Sequence, residues 1–148
     1  MPPIRGIVVP MTESTFRPVL RTQADVEAMW RRLMTPLGFG GESLWLVVIE
    51  GDRPQGKILE VVELGPPPTD DEIEVYAGIL APLAGPAISF AILRSRPGGG
   101  PPDDIDRAWA MALYDAGRRA GARLEVVHLA HDHDVCPLPL DDLLAEPA

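Results

Sequence analysis

Six consecutive apolar residues, Leu44-Trp45-Leu46-Val47-Val48-Ile49, constrain this chain more than any other segment. A strand with one wetted face alternates apolar and polar side chains, whereas an unbroken run requires cover on both faces. Gly51-Asp52-Arg53-Pro54 stops the run. Ile58 to Leu64 then reads as a second strand, after a connection short enough to make the two antiparallel neighbours. The rest of the chain must supply a layer on each side of this pair. At 148 residues it has the size of one domain, enough to bury roughly 70% of its unfolded surface.

Helical layers are legible in three places. Thr22 caps a helix whose Val26, Met29, Trp30 and Leu33 fall on one stripe. Behind Pro66-Pro67-Pro68, Thr69 and Glu72 form a capping-box pattern ahead of Ile73, Tyr76, Ala77 and Leu80. A third helix starts near Asp103, carries Ile105, Trp109, Leu113 and Ala116 inward, and ends at Gly117 or Gly121. Ala87 to Leu93 reads as a buried strand running into Arg94-Ser95-Arg96-Pro97 and the triple glycine Gly98 to Gly100. Leu124 to Leu129 is the last strand, followed by a polar turn and a short helical tail through Asp141, Asp142 and Leu144. Ile7 to Val9 adds an edge strand to a proline-rich start. This order predicts an α/β fold, a three-layer sandwich with a mixed central β-sheet flanked by helices. Residues 1–21 form an N-terminal arm, 22–138 the domain and 139–148 a C-terminal tail.

Charge and composition narrow the function classes. A formal net charge of -9 opposes a grip on nucleic-acid phosphates or anionic lipid. Cys136 is the single cysteine, which forbids an intrachain disulfide and suits a reducing, cytoplasmic setting. Ala77 to Leu93 carries no charge over 17 residues, but Pro82, Gly85 and Pro86 divide it into a helix end, a turn and a strand, so no membrane span is expected.

The segment Arg94-Ser95-Arg96-Pro97-Gly98-Gly99-Gly100-Pro101-Pro102-Asp103-Asp104-Ile105-Asp106 resembles the metal-site segment of the RadC-like branch of the JAB/MPN (JAMM) metalloprotease superfamily. There the pattern is His-x-His-Pro-Ser-Gly, a proline-containing loop, and Ser-x-x-Asp opening a helix. Pro97 and Gly99 match its proline and glycine, and Asp106 falls at its metal-binding aspartate. Gly117, Gly121 and Val127-His128-Leu129 resemble the family's downstream glycines and closing Asp-His-Leu-Val strand. The resemblance covers about residues 22–134 and implies the JAB/MPN, cytidine-deaminase-like sheet. In that family two histidines and the aspartate hold Zn²⁺ beside a hydrolytic water.

Here the histidine positions are Arg94 and Arg96, and guanidinium offers no lone pair to a metal. The serine position is Asp103. The resemblance therefore implies a degenerate site at Arg94, Arg96, Asp103 and Asp106, and a non-catalytic domain binding a protein or peptide partner or serving as a scaffold. The two arginines would place positive charge where relatives hold a cation, with Arg94 or Arg96 pairing with Asp106, and with Glu60 or Glu63 on the neighbouring strand as further partners. The plainer alternative makes Asp103 and Asp106 helix caps and both arginines surface residues past a strand end. Gly98 and Gly99, next to the arginines, are further binding candidates.

A second chemistry is carried by His128, His131, His133 and Cys136, a dense run of ligand-type residues. It would suit zinc and a metal-dependent hydrolase, although its spacing matches no closed zinc pattern. The competing reading is a polar loop with His128 half-buried on the sheet. Trp30, Trp45 and Trp109 lie in apolar stripes and read as core. An exposed edge strand could pair two copies as a homodimer or accept a peptide strand.

Overall fold

The computed structural model describes residues 6–10 and 18–144; the sequence readings that fall on 1–5, 11–17 and 145–148 lie outside the described residues. Chain order is β1 (Gly6–Pro10), α1 (Gln23–Met34), β2 (Ser43–Glu50), β3 (Arg53–Val62), α2 (Asp70–Leu80) with a short 3-10 turn at Ala81–Leu83, β4 (Ile88–Ser95), α3 (Asp104–Ala120), β5 (Arg123–Leu124), β6 (Val127–Ala130), β7 (Val135–Leu138) and α4 (Leu140–Leu144). The strands form one sheet in the order β1-β3-β2-β4-β6-β7, with β5 also beside β4. Pairings are antiparallel except for β4 with β5 and β6. The α/β sandwich with a mixed sheet is thus the observed architecture, and no helix among the described residues is long and apolar enough to cross a membrane.

Strand alternation sorts the core into two layers. Val47, Ile49, Ala91, Leu93 and Ala130 pack against Val26, Met29 and Trp30 of α1. Leu44, Ile92, Val127 and Leu129 pack against Trp109, Ala110 and Leu113 of α3, while Phe90 joins Ala77 and Leu80 of α2. The helix starts follow their local chemistry: Thr22, Thr69 and Asp103 each cap a helix through a reciprocal capping box. α3 stops at Gly121, whose φ of 64° is the left-handed conformation a glycine adopts without Cβ strain.

Five expectations need correction. β3 begins at Arg53 rather than Ile58, because Gly51 at positive φ closes a two-residue hairpin that puts Glu50 opposite Arg53. β4 continues through Arg94 and Ser95, since Leu44 and Ser43 on one side and Leu129 and Ala130 on the other give those residues ladder partners; Arg94 is thus a strand residue, Arg96 follows the strand end, and both are buried rather than on the surface. The last strand is divided into β5 and β6: the Val126 carbonyl between them takes the His128 ring nitrogen at 2.9 Å. The supposed polar loop contains β7, which returns antiparallel to β6. On α3, Ile105 is 49% exposed and Asp106 takes the inward position.

Candidate functional site

In an open sheet, ligand-facing groups gather beyond the carboxyl ends of parallel strands, and among the described residues the buried Arg94, Arg96 and Asp106 lie at that end, where β4 and β6 stop. Arg94 and Arg96 lie two apart on β4 and its exit, on the face toward α3. Asp106, in the first turn of α3, meets both. Arg94 Nε donates to Asp106 Oδ1 at 3.0 Å; Arg96 forks onto the carboxylate, with Nε at 2.9 Å from Oδ1 and Nη2 at 2.8 Å from Oδ2. The Asp103 N–H donates to Oδ2 at 2.9 Å, completing the α3 capping box. Asp106 is 0% exposed, Arg94 2% and Arg96 8%.

Burial opposes the charge on Asp106, but the hydrogen bonds from Arg96, the Asp103 backbone and Arg94 outweigh it and hold the carboxyl below its ordinary range. The same carboxylate raises the already high Arg96. A buried charge of either sign would cost several kcal/mol alone, so the three groups belong together. Arg96 Nη1 also reaches the Pro97 and Gly99 carbonyls and ties down the glycine loop.

Arg94 finds its second carboxylate in Glu42, with Nη2 at 2.8 Å from Oε1. Neither Glu60 nor Glu63 was the right expectation for this contact. Glu60 stands opposite Trp45 on the sheet face toward α1, away from Arg94, and Glu63 lies past the end of β3 at φ 58°, exposed. Glu42 sits in the loop before β2, where no periodicity points to a partner; only the β2–β4 register, which brings Ser43 and Leu44 beside Ser95 and Arg94, identifies it.

The histidine segment does not converge. His128 is buried toward α1, with Nε2 3.8 Å from Glu27 Oε1, and burial lowers its basicity. Cys136 packs with the α3-side core, and burial, followed by Asp134 and Asp106, pushes its thiol up, away from thiolate character. The His131 ring accepts the His133 N–H at 3.1 Å, and His133 rests over Gly99, where a Cβ would lie 2.4 Å from its ring. Among the described residues no group of three or more His, Cys, Asp or Glu side chains is arranged to hold a metal ion.

Asp132, between the two histidines, has a different task. Its Oδ2 accepts the Gly98 N–H at 2.8 Å and its Oδ1 the Phe39 N–H at 3.1 Å, and its own N–H donates to the Gly98 carbonyl. Three loops are stitched together there, and Gly98 and Gly99 serve that seam.

The residues at the β4 end do not suit a zinc ion. Arg94 and Arg96 have no lone pair to give, and both Asp106 oxygens are already occupied by N–H donors. What the arrangement does chemically is lock helix to strand by charge. No protein-family model, curated protein or solved structure matches this chain.

Proposed function

We propose that this chain is a non-catalytic, RadC/JAB-like domain in which an Arg94–Arg96–Asp106 lock stands where relatives hold zinc, and that it acts in the cytoplasm as a protein-binding or scaffold module. One observation carries the reading: residues at i and i+2 at the end of β4 and just past it converge on a helix-opening aspartate, with cationic side chains in place of the two imidazoles. The order helix, hairpin, helix, strand, helix, strand from Thr22 to Ala130 supports it, as does the pairing of Val127-His128-Leu129 alongside β4. Glu42 supplies the second carboxylate, so that two guanidiniums face two carboxylates at the lock. A partner protein or peptide is expected beside this end of the sheet, because hydrolysis through the lock itself has no ligands to use.

Metal loading tests the reading. Protein purified without an affinity tag is expected to contain no stoichiometric zinc. The double variant Arg94→His, Arg96→His, once shown by circular dichroism to be folded, is expected to take up about one zinc ion per chain with Asp106 as third ligand. A folded double variant that takes up none would end the correspondence with the metal-site pattern. Stoichiometric zinc in the wild type, lost in His131→Ala, His133→Ala, would replace this reading with a metal-dependent hydrolase built on the histidine segment.

A further inference from the structure

β1 ends the sheet on one side, and among the described residues no strand pairs with its outer margin. Alternate residues of a ladder strand turn their N–H and C=O groups outward, and edges are commonly blunted by a charge, a bulge or a covering element. Gly6-Ile7-Val8-Val9-Pro10 carries no charge, and its register with β3 runs unbroken over five residues. Pro10 withholds an N–H only at the last position. Backbone hydrogen bonds are on offer there to one more strand.

The two faces beside that margin differ in chemistry. On the face toward α2, Gly6 stands beside Val61 and Val8 beside Leu59. Val61 and Leu59 are walls of a cavity of about 40 Å³ between α2 and the sheet, and its other walls, among them Leu44, Leu46, Ile79 and Ile92, are apolar too. Leu46, Leu59 and Ile79 are only half-buried. Gly6 puts no side chain on that face, so a long apolar side chain of an added strand has room to lean across it toward Val61. On the face toward α1, Glu60 stands between Ile7 and Trp45 in the ladder. It is half-buried, and among the described residues no cation pairs with it. An added strand lies two strand spacings from Glu60, about 10 Å, a span that a lysine and a glutamate side chain bridge together.

Side chains alternate between faces with a period of two, so the strand that satisfies both faces alternates apolar and basic residues. A second copy does not meet this requirement. Gly6–Pro10 contains no Lys or Arg, and each chain has a formal net charge of -9, which opposes self-pairing and favours a cationic strand.

We infer that the β1 margin binds an extended peptide segment of alternating apolar and basic residues, added as the next strand, with its apolar side chains toward the α2 cavity and its basic side chains toward Glu60. The inference is independent of the family reading, because β1 lies three strands from β4 and its arginines.

The test titrates the full chain with acetyl-Lys-Met-Lys-Val-Lys-Met-Lys-amide and follows backbone amides by ¹H–¹⁵N NMR. Saturable shifts are expected at Ile7, Val8, Val9 and Val61, with the Val135 and Leu138 amides of the opposite margin unmoved. Three control peptides are expected to bind weaker by about tenfold or more, the equivalent of 1.4 kcal/mol: one of the same composition in the order Lys-Lys-Met-Met-Val-Lys-Lys, one N-methylated at its five inner residues, and one with Glu in place of Lys. Glu60→Gln is expected to weaken binding about threefold, the effect of one partly exposed ion pair. Absence of a saturable shift up to about 1 mM peptide, where weak specific sites still register, would overturn the inference. So would any control peptide binding as well as the first, or unchanged affinity in Glu60→Gln. Shifts of the β1 amides that follow protein concentration without peptide would give the margin to a second copy instead.

Discussion

Asp106 shows how much one side chain can hold. Its carboxylate is shared by two guanidiniums and a backbone N–H, so Asp106→Asn leaves two buried cations short of a counter-charge. A loss of about 3–5 kcal/mol in urea unfolding is expected, the usual result of removing one member of a buried ion pair. Because the folded carboxyl titrates below its ordinary value, its contribution is complete above about pH 4 and is lost as pH falls through the folded value. His128 acts in the same direction over a different range. Burial lowers its pKa, so the folded chain binds fewer protons there than the unfolded chain, and stability declines as pH drops below about 6.5. His128→Leu is expected to flatten the urea midpoint between about pH 7 and 5, where the unfolded imidazole begins to titrate.

At the scale of elements, capping and apolar periodicity together identify α1 and α2. Thr22 and Thr69 announced α1 and α2, and the Val26, Met29, Trp30 stripe faces the sheet as its spacing implies. α3 illustrates the failure. Ile105 looks like the inward residue of the first turn, but Asp106 occupies that place because the strand opposite carries arginines; hydrophobic spacing has no means of seeing a charge partner across a layer. β7 was hidden for another reason, being four residues long with Pro137 inside. Part of its register is made by a side chain: the Tyr114 hydroxyl accepts the Val127 N–H at 2.9 Å and donates to the Leu138 carbonyl at 2.8 Å. Where α3 ends, Gly121→Ala forces a Cβ into φ 64°. A cost of about 1 kcal/mol is expected by chemical denaturation.

Across the whole molecule the lock is legible in the sequence as a pairing of Arg94 or Arg96 with Asp106, its sharing by both arginines is not, and Glu42 and the Asp132 seam depend on loops brought together only by the sheet order β2-β4-β6. That seam connects segments far apart in sequence, and hydrogen exchange reads it directly. Asp132→Ala is expected to speed exchange of the Gly98 and Phe39 amides, which lose their acceptor, while the Trp109 and Leu113 amides within α3 keep their protection.

The two margins of the sheet differ. At β7, Pro137 has no N–H to offer and Arg31 Nη2 occupies the Val135 carbonyl at 2.7 Å; at β1, no strand among the described residues pairs on the outer side. Growth of a fibre by repeated strand addition requires two receptive margins per copy. A molecule closed at one of them can join a single neighbour and then has nothing left to extend.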